Sequence, residues 1–311
     1  VTAPKAFLLA AAALLLAGAA AGCASDNASS GGGDALTLAA IPAEQNVDPT
    51  VSYENLAKLI EEKTGREVNV VRSTDYNAVI EGMVSGKIDI AEFGPLSYVL
   101  AVNNGAKITP VASTIEKGMP PTYQSYGIVG KDSKITGLEG FKGKKVCFVD
   151  PSSTSGYLFP SAGLLSKGID PKKDVQPVMA GGHDNSVTSV ASGTCEAGFA
   201  FDNMVDHTLI DKNVIKAGDV KVIWKSDPIP NDPIAIRTDL PDDVKQKLTD
   251  ALSKDATVDS LVKQGICAKA DDCAITSDPA VWGLAPVEDK VFDSVRDVCA
   301  ATKNSSCTKQ S

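Results

Sequence analysis

Residues 150–156 read DPSSTSG, so four hydroxyl side chains, Ser152, Ser153, Thr154 and Ser155, crowd in front of a glycine and the apolar run YLFP, with no Lys or Arg among them. Each hydroxyl carries one O–H donor, and the first amides of a helix have no partner inside it. Such a loop is a neutral cradle suited to an anion. It would serve equally as a plain helix cap, the commoner use of Ser and Thr at such a place. The phosphate-loop pattern GxxxxGK[ST] is absent from it, so it is not a nucleotide loop of that kind. Pro160 falls inside the expected helix, where it removes a backbone hydrogen bond or forces a kink.

The stretch GGHDNSV carries His183, one of two histidines, behind two glycines. Its imidazole could donate to an oxyanion or simply complete a cap; His207, in a polar helical stretch, is expected to be solvated. Asp232 sits in PIPNDPI, held by three prolines. A carboxylate beside an anion is repulsive unless the ligand keeps a proton or brings a cationic group. A ligand that keeps its proton would donate it to Asp232, and a fully ionised tetrahedral anion such as sulfate would be penalised. An ordinary Asp-Pro turn is the alternative reading. Tyr76 and Tyr123 are further hydroxyl donors with apolar faces, or core tyrosines.

The elements that must position these residues alternate between strand and helix. ALTLAAI reads as a buried strand, and SYENLAKLIEEKTG as a helix stopped by Gly65. EVNVVRS is a second strand, DYNAVIEGMVSG a helix capped by Asp75 and stopped by Gly86, KIDIAEFG a third strand, and PLSYVLAVNNG a helix with Pro95 in its first turn. Repeated βα units imply a mostly parallel, doubly wound sheet. A fresh α/β series begins at LEGFKGKKVCFVD and is followed by helical sequence toward a cysteine-bearing tail. One series nested in another predicts two lobes, 36–127 plus 225–311 and 128–224, joined by crossover strands near 126–130 and 222–226; a single continuous sheet is the alternative. Ligands of open α/β sheets sit outside the carboxyl ends of the strands, which here means the interlobe cleft.

Composition narrows the class. The 311 residues are 43 % hydrophobic and 22 % charged with a formal charge of −9, which disfavours nucleic acid and anionic membrane surfaces as partners. Residues 1–22 read as a secretion signal: Lys5 precedes an apolar Ala/Leu run closed by small residues. The closing Ala20-Ala21-Gly22-Cys23 resembles a bacterial lipobox, which makes Cys23 the lipidated residue and 23–35, rich in Ser and Gly, a tether; an uncleaved anchor is the alternative. The expected place is the cell envelope, outside the cytoplasm, anchored by lipid to the outer face of the cytoplasmic membrane. Six other cysteines, an even number in an oxidising compartment, predict three disulfides. Cys267 with Cys273 and Cys299 with Cys307 would close short loops, leaving Cys147 with Cys195. Zinc is the rival use, disfavoured by two histidines and no CxxC, and no metal or cofactor is expected.

TDYNAVIEGMVSGKIDIAEFGPLSY, TYQSYGIVGKDS, DPSSTSGYLFP, GGHDNSV and KVIWKSDPIPNDPI occur in this order. Together they resemble the phosphonate, phosphite and phosphate substrate-binding proteins of ABC importers, over roughly residues 36–237. The resemblance implies a type II periplasmic-binding architecture of two α/β lobes closing on a small oxyanion, delivery to a permease with its ATPase, a monomer, and no bond made or broken. It implies ligand contacts from Ser153, Thr154, Ser155, His183, Tyr76, Tyr123 and Asp232. Aminoethylphosphonate binders of the family carry a glutamate some twenty residues after the histidine that meets the amine; here that place holds Asp202 and Asn203, which argues against an aminoalkyl ligand. Phe93 and Tyr98, lining the pocket, would favour a small one. Two other readings remain: a binding or sensor protein for another oxyanion such as arsenite, and an exported hydrolase using Ser155, His183 and Asp202, for which no GxSxG elbow is present.

Overall fold

A computed structural model describes residues 35–304 and 307; the expected secretion signal, the expected lipidation at Cys23 and most of the expected tether lie outside them. From residue 36 the apolar runs become strands because both of their faces find a cover. In the first strand, Leu36–Ala40, the side chains of Leu36, Leu38 and Ala40 enter one core cluster and Ala39 enters another. Strands buried on both faces read as continuous apolar runs. The helix Glu54–Thr64 packs Leu56, Leu59 and Ile60 into the first cluster and ends at Gly65, whose φ of 72° favours a residue without a side chain. Tyr76–Val84 is capped by Asp75, whose carboxylate accepts from the Ala78 amide, and Pro95–Asn103 begins with its proline, as the sequence predicts.

These elements build a six-stranded sheet in the order Gly283–Pro286, Ile108–Ile115, Pro233–Arg237, Ile90–Glu92, Leu36–Ala40, Val68–Val71. A second sheet has five strands in the order Val220–Lys225, Ser125–Gly130, Ala197–Phe201, Lys145–Phe148, Gln176–Met179. The parallel pairing expected of βα units holds within each winding series, at 68–71/36–40/90–92 and at 176–179/145–148/197–201. Strands that return by other routes complete each sheet antiparallel, so both sheets are mixed. The segments expected to cross near 126–130 and 222–226 lie inside the five-stranded sheet, paired with each other. The chain passes between the sheets next to a short antiparallel ribbon, Thr122–Tyr123 with Ile229–Pro230. The edge strand Gly283–Pro286 was not expected in a helical tail; Gly and Pro are depleted in strands and tolerated at edges.

The disulfides pair Cys147 with Cys195, Cys267 with Cys273 and Cys299 with Cys307. The first joins strand Lys145–Phe148 to the turn that enters Ala197–Phe201, beneath the loops described next.

Candidate functional site

The carboxyl ends of strands from both sheets face one cavity of about 80 Å³. From the six-stranded side come the loop after Ala40, Glu92 at the end of its strand, and the 231–233 turn; from the five-stranded side come the loops after Phe148, Met179 and Phe201. Among the lining residues are Tyr76, Tyr123, Ser153, Thr154, Ser155, His183, Asp202, Asn203 and Asp232. Residues up to 156 apart in sequence are therefore brought together. Phe93 and Tyr98 are not among them, contrary to expectation. They pack edge-on to each other in the core, Tyr98 lies against Phe292, and its hydroxyl donates to Asp289 Oδ1 at 2.6 Å. Phe93, just before the helix that starts at Pro95, and Tyr98, on that helix, both turn their side chains into the core cluster rather than the cavity.

The hydroxyl loop caps backbone amides through its oxygens. Ser153 Oγ accepts from the Gly156 amide at 3.0 Å, and Thr154 Oγ1 accepts from the Leu96 amide of the six-stranded side at 2.8 Å. Each hydroxyl thus spends acceptor capacity on a backbone N–H and keeps its single proton for another acceptor. Ser153, Thr154 and Ser155 are each 2 % exposed, so that acceptor must lie in the cavity or its walls. Tyr76 stands beside Ser153, and Tyr123 beside Ser155 and Thr154. The loop is held from below by Ser125, whose hydroxyl donates to the Ser155 carbonyl at 2.6 Å.

Pro160 also finds its explanation here. The chain opens the helix with one wide turn, Thr154–Leu158, in which the Leu158 amide reaches back to the Ser153 carbonyl and the Phe159 amide to that of Thr154. The Gly156 carbonyl, which an α-helix would pair with residue 160, accepts instead from the Val149 amide at 3.2 Å. Proline, having no amide hydrogen, leaves nothing unpaired at that point. Gly156 is required by the same contact, because a side chain there would collide with Val149 and with Ser153 Oγ.

His183 opens the helix His183–Ala191 behind Gly182. Its Nδ1 accepts from the Phe201 amide at 3.1 Å, which places the proton of the neutral ring on Nε2. Burial depresses the imidazole pKa to about 3, so the ring stays neutral and presents an N–H toward Ser153 Oγ, 3.4 Å away, and the cavity. A hydrolytic triad is not assembled. Nδ1 would have to donate to an acid, yet it accepts, and both Asp202 oxygens are engaged by the Gln124 and Asn203 amides at 2.9 and 3.0 Å. His207 is exposed, as expected.

Opposite the donors stands an acidic wall that the sequence did not reveal. Glu44, Glu92, Glu116 and Asp278 join Asp202 and Asp232 around the cavity, and no Lys or Arg lines it among the described residues. Asp232 is fixed by its turn: its carbonyl accepts from the Thr114 amide at 3.0 Å, and Asn231 donates to the Thr114 carbonyl at 2.8 Å. Among the described residues, the buried Asp232 Oδ1 meets no donor. Burial, with Glu92 and Asp278 nearby, raises its pKa well above the usual carboxylate range, and the Tyr123 hydroxyl opposes the shift. Glu92 is 7 % exposed and accepts from the Tyr53 hydroxyl at 2.9 Å. Burial lifts its pKa to about 7, with Asp278 adding to the rise and Tyr53 counteracting it.

A carboxylate whose folded pKa exceeds its unfolded value favours folding at low pH and loses that contribution as pH rises through the folded pKa. For Glu92 the window runs from about 4.5 to about 7. Glu92→Gln is therefore expected to stabilise the protein by about 1–3 kcal/mol at pH 8. The gain should shrink to nothing near pH 4, as read by chemical unfolding at both pH values. A gain equal at both would refute the linkage.

The chain matches the family model described as ABC transporter, phosphonate, periplasmic substrate-binding protein over residues 38–266. It is 46 % identical over 283 residues to a phosphate-import protein of Mycolicibacterium smegmatis, covering 88 % of each chain. It is 32 % identical over 212 residues to a phosphonates-binding periplasmic protein of Escherichia coli, covering 67 % of this chain and 62 % of that one. A crystal structure of a binding-protein component of an ABC phosphonate transporter from Pseudomonas aeruginosa superposes with a TM-score of 0.75, at 28 % identity and 87 % coverage of both chains. The α/β fold is that of type II periplasmic binding proteins, and the chain belongs to the phosphonate-binding family of extracytoplasmic substrate-binding proteins of ABC transporters.

Proposed function

We propose that this protein captures a small phosphorus oxyanion (phosphate, phosphite or a short phosphonate) in the cavity between two lobes, 36–127 plus 225–311 and 128–224, and hands it to an ABC permease. The ligand leaves chemically unchanged. A lipid on Cys23 would hold the monomer at the outer face of the cytoplasmic membrane. The observation that carries the reading is the pairing of opposites in one cavity. Hydroxyl and imidazole donors on one wall have their acceptor capacity already taken by backbone amides, and across from them Asp232 Oδ1 lacks a donor. A tetrahedral oxyanion that shares one proton with Asp232 satisfies both walls at once. Among the described residues no Lys or Arg lines the cavity, which suits a carrier that must release its cargo.

The test is thermal and chemical unfolding of the protein with phosphate, phosphite, methylphosphonate, sulfate and arsenite. A ligand present at a hundred times its Kd stabilises the folded state by about 2.7 kcal/mol. Stabilisation by at least one phosphorus oxyanion and not by sulfate is expected. A response to arsenite alone would transfer the site to that oxyanion, and no response to any phosphorus compound would end the proposal.

A further inference from the structure

Beyond the donor loop, the cavity is closed by a contact between residues that belong to different sheets. Asn203 follows strand Ala197–Phe201 of the five-stranded sheet, whereas Asp278 precedes strand Gly283–Pro286 of the six-stranded one. Both line the cavity, and Asn203 Nδ2 donates to Asp278 Oδ1 at 2.8 Å. The same carboxylate oxygen accepts from the Ala280 amide at 3.0 Å, which fixes the acid from its own side. Asn203 is fixed from its side as well: its amide donates to Asp202 Oδ1 at 3.0 Å, and Asp202 in turn accepts from the Gln124 amide. A second bridge runs alongside. Lys212, a few residues beyond Asn203, pairs with the buried Glu44 at 2.6 Å, and its charge also reaches Asp278. Burial raises the pKa of Asp278, while Asn203 and Lys212 oppose the rise.

We propose that the Asn203–Asp278 hydrogen bond is a clasp that limits ligand length, so that the cavity accepts phosphorus oxyanions whose fourth substituent is no larger than hydrogen, hydroxyl or methyl. This rests on the oxyanion reading above and specifies its substrate class. An oxyanion held by Ser153, Thr154 and His183 turns its remaining substituent away from the donor wall, toward the acidic wall on which the clasp lies. The cavity measures about 80 Å³, and the two residues of the clasp form part of its lining. A longer tail has to displace the Asn203 side chain, and the buried Asp278 oxygen then loses its side-chain donor. Asp278 Oδ1 keeps only the Ala280 amide, and losing one hydrogen bond to a charged acceptor weakens binding roughly ten- to hundredfold. An aminoalkyl tail meets the same obstacle, because it is longer than an ethyl group and has to break the Asn203–Asp278 bond to extend.

Titration calorimetry with phosphite, methylphosphonate, ethylphosphonate and 2-aminoethylphosphonate tests the clasp. The full chain is expected to bind ethyl- and aminoethylphosphonate at least tenfold more weakly than methylphosphonate. Asn203→Gly should shrink that ratio at least tenfold whatever happens to absolute affinity, and Asn203→Ser provides a second variant should the glycine impair folding. Lys212→Met, which leaves the clasp in place, should leave the ratio of ethylphosphonate to methylphosphonate affinity unchanged. Ethylphosphonate binding within threefold of methylphosphonate to the unmodified protein would overturn the clasp while leaving the oxyanion reading intact, as would a ratio unmoved by both Asn203 variants. Failure of the unmodified protein to bind any of the four would overturn both.

Discussion

Replacing Ser153 and Thr154 together by alanine is expected to weaken phosphite or phosphate binding by about 10²–10⁴-fold. In the proposed site each hydroxyl donates one hydrogen bond to a charged acceptor, and such bonds contribute about 1.5–3 kcal/mol apiece, tenfold in affinity for every 1.4 kcal/mol. The stability cost is smaller, because in the folded protein these oxygens serve as acceptors. Loss of the Ser153 cap on Gly156 costs about 1 kcal/mol. Loss of the Thr154 acceptor for the Leu96 amide costs a similar amount, since an ordinary hydrogen bond contributes about 1 kcal/mol net. Calorimetry would give the first quantity, and denaturant unfolding without ligand the second. Thr154→Ser, which keeps the oxygen and loses only a methyl, should retain most of the affinity. A double-alanine variant that still binds within threefold of the unmodified protein would show that the loop is a cap and no more.

That loop also marks how far sequence reading reached. Four hydroxyls between an apolar strand and a helix could be recognised as cap or cradle; the structure shows the cap and leaves each hydroxyl proton available for the proposed cradle. Deciding between them needs Leu96, 58 residues away, which no local pattern announces. Pro160 was opaque for the same reason: the carbonyl it would orphan is satisfied by Val149 across the loop. Asp232 stood out because three prolines stiffen its turn, a local signal. Glu92 did not, since it ends an apolar strand like any solvated residue. Its burial depends on Tyr53, 39 positions earlier, closing over it. Asp278 lies in a loop of small and polar residues, and its partner Asn203 is 75 positions away. Phe93 and Tyr98 misled because a Pro-started helix beside a site can turn its aromatics to either side, and spacing does not say which. The elements themselves were legible wherever caps and periodicity agreed, as at Asp75 and Gly65. Strand direction was not, because it is decided by which distant strand fills the sheet's open edge.

The second large effect concerns charge, and it follows from the oxygen of Asp232 that no protein donor reaches. A proton must lie between that oxygen and the ligand, or two anions face each other in a buried site. Hydrogen phosphate brings such a proton at neutral pH. Sulfate has none, and the methylphosphonate dianion has none. Phosphate monoesters lose their last proton near pH 6, and simple phosphonates behave similarly. Linkage then fixes the sign: where binding takes up a proton, affinity falls as pH rises, by up to tenfold per pH unit above the ligand's last pKa. Affinity for methylphosphonate should therefore drop steeply between pH 7 and pH 9, whereas affinity for phosphate changes less, because its dianion keeps a proton over that range. The raised pKa of Asp232 works in the same direction, since a protonated acid at low pH can itself donate. Asp232→Asn supplies an amide N–H that needs no proton from solution. In that variant the methylphosphonate slope should flatten, and sulfate, rejected by the unmodified protein at pH 8, should bind at least about a hundredfold more tightly, since removing a like-charge contact in a buried site is worth several kcal/mol. Calorimetry at three pH values, in buffers of different ionisation enthalpy, counts the protons directly. An unchanged exclusion of sulfate by the Asp232→Asn variant would place the discrimination elsewhere on the acidic wall, with Glu92 and Asp278 as the acids whose charge acts on this position.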